Sequence, residues 1–273
     1  MKFVDIKNDV AFRKIFGNEN RKVVLISFLN AVLCLKNNNI ISDVTILTPY
    51  QLPELRGGKV TIVDVKAKDS SGKTYIIEMQ IAQVDGFHKR VLYYASKSYS
   101  SQINRGDDYE NLMPTFFIGI LDFVATQNNN FLNRHIIKDA DTSEHFIKDI
   151  EFNFIELPKF TKKANELTSI IDQWVFFIKN AENLEVVPEN IADKGLKVAY
   201  EEANKHNWTQ QELEAYDKVF IREQDDKGRV TFALRKNNEE IARKLIKRGR
   251  PNQEIVEDTG LTIEQVEKLR TEK

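Results

Sequence analysis

The chain reads as an α/β protein, a mixed sheet flanked by helices and followed by a helical C-terminal region. Three observations predict this. Short β-branched runs bounded by turn residues fill much of 44–81 and recur at 114–121. Stretches of helical spacing precede and separate them. After Leu157-Pro158 the strand signals stop and helical spacing alone continues. The 273 residues fit about two units of ordinary domain size; the pattern divides them into a core over 1–160, a helical region over 161–235 and a small module over 236–273.

Phe12, Ile15 and Phe16 recur at helical spacing behind Asn8 and Asp9, both able to cap, and Gly17 supplies a stop, so 9–16 is a short amphipathic helix. A second helix covers about 20–35. Its apolar run holds Cys34, expected to be a buried, inert thiol. Val44–Leu47, Val60–Val65 and Tyr75–Ile81 read as strands, with Asp69-Ser70-Ser71-Gly72 as the turn between the last two and Gly57-Gly58 as a further turn signal. Residues 85–104 return to helical spacing, with Phe87, Val91 and Tyr94 on one stripe and Asn104-Arg105-Gly106 as the stop. The unbroken apolar run Pro114–Leu121 marks a strand buried on both faces, and a further strand lies at about 145–157.

Beyond residue 160, core residues such as Trp174, Phe177, Trp208 and Phe220 are spread over helices. The polar stretch 225–238 reads as a loop or linker. Ile241, Leu245 and Ile246 then form a helix ending near Gly249, 253–259 forms another, Gly260 turns, and Thr262-Ile263-Glu264-Gln265 is a capping pattern that opens the last.

Composition removes several function classes. A hydrophobic share of 41% excludes a disordered chain, and one cysteine excludes both a disulfide framework and a cysteine metal cluster. The longest apolar stretch, 23–35, is too short to span a bilayer and the start lacks the layout of an export signal, so a soluble, cytoplasmic protein without a membrane partner is expected. His88, His135, His145 and His206 lie in separate segments without metal-ligand spacing, and no Gly-rich phosphate loop is present. With 40 Lys and Arg against 41 Asp and Glu, affinity for a polyanion must come from local patches.

The chemistry concentrates between Asp64 and Gln80. If the two strands pair as a hairpin centred on Ser71, residues whose numbers sum to 142 face one another, and Asp64 lies opposite Glu78. Alternation puts Gln80 on the face of Glu78 and Lys66 on that of Asp64. Like charges directly opposed destabilise a sheet, and a hard cation resolves the conflict, since two carboxylates with waters and a phosphate make the usual shell of Mg²⁺. The competing reading is a solvated pair neutralised by Lys66, Lys68 or Lys73.

Asp64 followed by Glu78-Met79-Gln80 resembles the split acidic motif of PD-(D/E)xK nucleases, with Gln80 where lysine is usual. Together with Asn8-Asp9-Val10-Ala11-Phe12-Arg13-Lys14-Ile15-Phe16-Gly17, Asp64-Val65-Lys66-Ala67-Lys68, His88-Lys89-Arg90-Val91-Leu92-Tyr93-Tyr94 and the strand at 114–123, it resembles the recombination-promoting nuclease and putative transposase family over about residues 1–160. The resemblance implies a restriction-endonuclease-like mixed sheet and Mg²⁺-dependent hydrolysis of DNA phosphodiesters, with Mn²⁺ able to substitute. It implies Asp64 and Glu78 as metal ligands, the main-chain carbonyl of Met79 as a third, and Asp9 as holder of an outer-shell water. Members of the family carry glutamine at the position of Gln80, which orients water but supplies no charge; Lys66 is the candidate for the missing cation. Asp9 has a plainer reading as a helix cap, Arg90 is either a phosphate clamp or a surface ion pair, and Tyr93 and Tyr94 read as packing residues.

The C-terminal segment Ile241–Arg270 resembles a helix-turn-helix. The basic residues Lys244, Lys247 and Arg248 suit phosphates, and Thr262, Gln265 and Lys268 head the helix that would meet base edges. Glu264 and Glu267 on that helix fit a packing module instead. Cutting both strands of DNA needs two sites, which predicts a homodimer. The readings that compete with a nuclease are an inactive nuclease fold that binds DNA or supports assembly, and a regulator acting through its C-terminal module.

Overall fold

The computed structural model describes residues 2–51 and 61–272, so the Gly57-Gly58 turn and Val60 lie outside the described residues. The chain divides into two compact units, 1–216 and 217–273.

Unit one opens with α1 (Asp9–Phe16), capped by Asn8, whose side chain accepts from the N–H groups of Val10 and Ala11. Helix α2 (Val23–Val32) follows and stops earlier than its apolar run suggests. Cys34 falls beyond the helix end at φ 52° and is exposed, which corrects the expectation of a buried thiol: the left-handed turn points it outward. Strands β1 (Val44–Leu47), β2 (Tyr50–Gln51), β3 (Thr61–Ile62), β4 (Val65–Asp69) and β5 (Thr74–Gln80) come next. Helix α3 (Phe87–Ser100) crosses to β6 (Thr115–Leu121), then β7 (Leu132–Ile136) and β8 (Ile150–Glu156) complete the strands. Helices α4 (Ile170–Asn180), α5 (Lys194–Ala203) and the start of α6 (Gln210–Lys247) close the unit.

Six strands form one mixed sheet in the order β1-β4-β5-β6-β8-β7, with β5, β6 and β8 parallel and the remaining pairs antiparallel. The β4–β5 register pairs Val65 with Ile77 and Lys66 with Ile76, which is the sum of 142 expected from a turn at Ser71. Asp69 fixes that turn, its Oδ1 accepting from the N–H groups of Ser71 at 2.8 Å and Lys73 at 3.0 Å. The single strand expected over 60–65 is broken instead. Thr61–Ile62 pairs with Tyr50–Gln51 in a separate ribbon, and the chain bends at Asp64 before joining the main sheet.

Alternation along the central strands serves two apolar layers. Ile76, Phe117 and Leu121 meet Phe87, Val91 and Ala95 of α3 on one face. Tyr75, Ile77, Met79, Ile118 and Ile120 meet α1, α2, α4 and α5 on the other, around the rings of Phe16, Phe28, Trp174 and Phe177. This second layer is continuous across residue 160, so the helices after that point share a core with the sheet.

In unit two, the later part of α6, α7 (Asn252–Thr259) and α8 (Ile263–Thr271) enclose a small core of Ala242, Ile255, Leu261, Val266 and Leu269. Gly260 makes the α7–α8 turn at φ 67°. The loop expected at 225–238 is helix: Gly228 and the polar neighbours lie inside α6, where ion pairs such as Arg235–Glu239 at i,i+4 support it.

Candidate active site

Strand β5 is buried on both faces and carries Glu78 and Gln80 near its end. The bend that lifts Asp64 off β4 brings its side chain back to the same strand. Asp64 Oδ2 accepts from the Met79 N–H at 2.9 Å, and the Asp64 N–H donates to Glu78 Oε1 at 3.0 Å. The carboxylate thus takes the place of a main-chain partner where the β4–β5 ladder stops. The Met79 N–H points toward Asp64, and in a strand the carbonyl of a residue leaves on the side of its N–H, so the Met79 carbonyl edge lies on the Asp64 side as well.

Both acids are withdrawn from water. Glu78 is 5% exposed and the Asp64 side chain 9%. Burial, and then the neighbouring charge of Asp64, push the Glu78 carboxyl up to about 8, against the pull of Arg90 and Arg13. Two cations flank the pair. Arg13 of α1, 49% exposed, donates from Nη2 to Asp64 Oδ1 at 2.9 Å. Arg90 of α3 donates to Gln80 Oε1, and Gln80 Nε2 donates to Glu78 Oε2 at 3.2 Å. Gln80 therefore bridges an acid and a guanidinium. Its amide uses both ends, which lysine cannot do, having no acceptor.

The other sequence candidates divide. Lys66 is half-buried, its pKa lowered by burial and then by Lys68; neither Asp64 nor Glu78 figures among the charges acting on it. Asp9 lies exposed on α1 one turn before Arg13 and acts on that guanidinium, while the capping role falls to Asn8. The lysines weighed as partners of Asp64 give way to Arg13. Arg13 was not legible as a site residue: it stands in the opening segment Asn8–Gly17, 51 positions before Asp64. Tyr94, read as packing, does pack on the α3 face, yet its hydroxyl also feels the site, with a pKa raised by burial and then by Glu78.

In unit two, Lys244, Lys247, Arg248 and Lys268 are exposed. Thr262 and Gln265 cap α8 reciprocally: Gln265 Oε1 accepts from the Thr262 N–H at 2.8 Å, and Thr262 Oγ1 from the Gln265 N–H at 3.3 Å.

A family model described as PD-(D/E)XK nuclease family transposase matches residues 6–232. The chain belongs to that family. Membership in the PD-(D/E)XK nuclease family transposases implies a nuclease linked to mobile elements, a DNA partner and, as is typical of such nucleases, a divalent metal. The matched range takes in Arg13, Asp64, Glu78, Gln80 and Arg90 and stops short of α7 and α8. No curated protein and no solved structure matches the chain. Among the described residues no cluster of three or more His, Cys, Asp or Glu side chains gathers to hold a metal, and no helix is long and apolar enough to cross a membrane. The acidic pair nonetheless fits a hard cation: its donors are carboxylate and carbonyl oxygens, and the two carboxyl groups are held side by side through the Asp64 and Met79 N–H groups.

Proposed function

We propose that the chain is a Mg²⁺-dependent DNA endonuclease of this transposase family, Mn²⁺ serving as well, with Asp64 and Glu78 as its metal-holding pair. The observation that carries this reading is the mutual locking of the two acids through main-chain N–H groups, which keeps two carboxyl groups together at a buried Glu78. Asp64, Glu78 and the Met79 carbonyl would hold the ion. When bound, the ion polarises the phosphate and lowers the pKa of a coordinated water.

The chain's own side chains do the rest. Gln80, oriented by Arg90, presents an amide to the attacking water. Arg90 supplies the positive charge that lysine would carry in the usual motif, linked to Glu78 through Gln80. Arg13, half in solvent, exchanges its hold on Asp64 for the non-bridging oxygens of the phosphate, and Asp9 keeps that guanidinium near the site. Lys244, Lys247, Arg248 and Lys268 contribute phosphate contacts from a helix-turn-helix-like module; Thr262 and Gln265 reach bases only by giving up their capping bonds. Two copies of the chain would cut both strands of a duplex.

Purified protein should cut plasmid and oligonucleotide DNA in Mg²⁺, and Asp64→Ala and Glu78→Ala should each lower the rate by about a hundredfold or more, the scale of losing a charge-stabilising group. Gel-resolved cleavage with folding checked by circular dichroism measures this. Cutting that survives both substitutions refutes the assignment.

A further inference from the structure

A cavity of about 740 Å³ is lined in part by Gln83, Phe87, His88, Thr126, His135 and Phe154. Its position relative to the acids follows from the register. Glu78 is level with Gly119, and Gly119 with Phe154. Two strand spacings set the Glu78 and Phe154 backbones about 10 Å apart. The Phe154 ring leans back over Gly119, where a Cβ would stand 2.8 Å from its Cδ1. The near wall of the cavity is the loop that leaves β5 just after Gln80 and enters α3, the helix of Arg90.

The far wall is fixed. Ala125 and Thr126 donate their N–H groups to Glu156 at 2.7 and 3.2 Å; Glu156 is fully buried and is also bound by Asn133 at 2.8 Å and Lys159 at 2.9 Å. Three rings meet at angles around the floor. His135 stands edge-on to Phe154 at 5.3 Å, and Phe87 lies 6.1 Å from it. Among the described residues the lining contains Asp85 and no lysine or arginine, so it does not suit a phosphate. It suits a flat, uncharged group with a hydrogen-bonding rim, beside a site that holds a phosphate. A nucleobase has that chemistry, and aromatic faces bind bases with little regard to sequence. A base within a duplex stack cannot enter without leaving its pair.

We infer that this cavity receives an unpaired nucleobase adjoining the phosphodiester held at Asp64 and Glu78, so that an unpaired nucleotide at the cut site, in a single strand or a locally opened duplex, strengthens binding. The inference rests on the nuclease reading for its phosphate, but its test does not require cutting. In an Asp64→Ala background, fluorescence anisotropy measures binding of a labelled oligothymidylate strand, the same strand with abasic sites, and a blunt duplex of equal length. Ala125→Trp fills the cavity and His135→Ala removes one wall. Each should weaken binding of the oligothymidylate about five-fold or more, the scale of one lost base stack. Duplex and abasic strand should be unaffected. Unchanged oligothymidylate binding, or equal loss on all three probes, overturns the inference. Should the tryptophan variant fail to fold, His135→Ala at an exposed strand position decides alone. Selective loss in the pocket variants, together with absence of cutting by the unaltered chain, would keep the pocket and remove the nuclease; cutting with indifferent pocket variants does the reverse.

Discussion

Glu78 couples protonation to folding and, in the proposed metal-holding role, to the ion. Its carboxyl titrates at about 8 in the folded chain against an ordinary value of 4.5. Between those values the folded chain holds a proton that the unfolded chain has released, so this residue's contribution to stability falls as pH rises, by up to about 1.4 kcal/mol per pH unit. Glu78→Gln keeps the shape and removes the titration. Urea unfolding in EDTA should find the variant more stable than the parent at pH 8, with the gap closing toward pH 5; a gap independent of pH would show that Glu78 ionises normally. Binding of an ion favours the deprotonated acid and works against the trend. The register of β4 and β5 was readable from the sequence because a turn at Ser71 fixes which residues face each other, but Asp64 is not the ladder partner of Glu78 that this register suggests: the ladder ends at Val65–Ile77, and a bend brings Asp64 to β5. Arg13 was not legible, since nothing local says that α1 lies beside Asp64. Nor was the Arg90–Gln80 bond, which depends on how α3 lies across the sheet.

At the scale of elements, the close approach of α2 and α5 depends on one missing side chain. A Cβ on Gly195 would lie 2.4 Å from Ser27 Cβ and 2.5 Å from the Val23 carbonyl oxygen, and the latter is helix backbone that cannot turn aside. Ser27 is further held by donating to Asp193 at 2.6 Å and accepting from Trp174 Nε1 at 3.1 Å. Gly195→Ala gains roughly 0.5–1 kcal/mol of helix propensity but forces the helices apart, and a net loss of about 1–3 kcal/mol is expected in urea titration. A neutral or stabilising result would mean that the helices separate freely. Elements with strong periodicity, α1, α3, β5 and β6, were legible with nearly their observed bounds. Two were not. Strand β7 carries Asn133, Arg134 and His135 in five residues, a polar sequence that pairs only because β8 offers an edge. The middle of α6 has a glycine and an Asp-Asp-Lys-Gly run that read as part of a loop or linker, yet one glycine costs only about 1 kcal/mol in a helix of 38 residues.

For the whole molecule, near-neutral charge directs attention to where the cations stand. Unit one contains both acids, both flanking arginines and the cavity; its last residue, Tyr216, is anchored by accepting from the Asp5 N–H at its hydroxyl and from Asn8 Nδ2 at its carbonyl. Unit two contains the basic cluster, of which Arg243 and Arg250 are paired with Glu272 and Glu254, while Lys244, Lys247 and Arg248 are exposed. The assignment of catalysis to one unit and phosphate contacts to the other predicts separable behaviour. A chain ending at residue 222 should fold, keep its cutting activity and bind DNA with a shallower salt dependence. Four lost phosphate contacts, from Lys244, Lys247, Arg248 and Lys268, correspond to a change in slope of about three to four in a plot of log affinity against log salt. An unchanged slope would leave the three-helix module a packing element and put the electrostatic footprint on unit one, where Arg13 and Arg90 are the cations that act on Glu78.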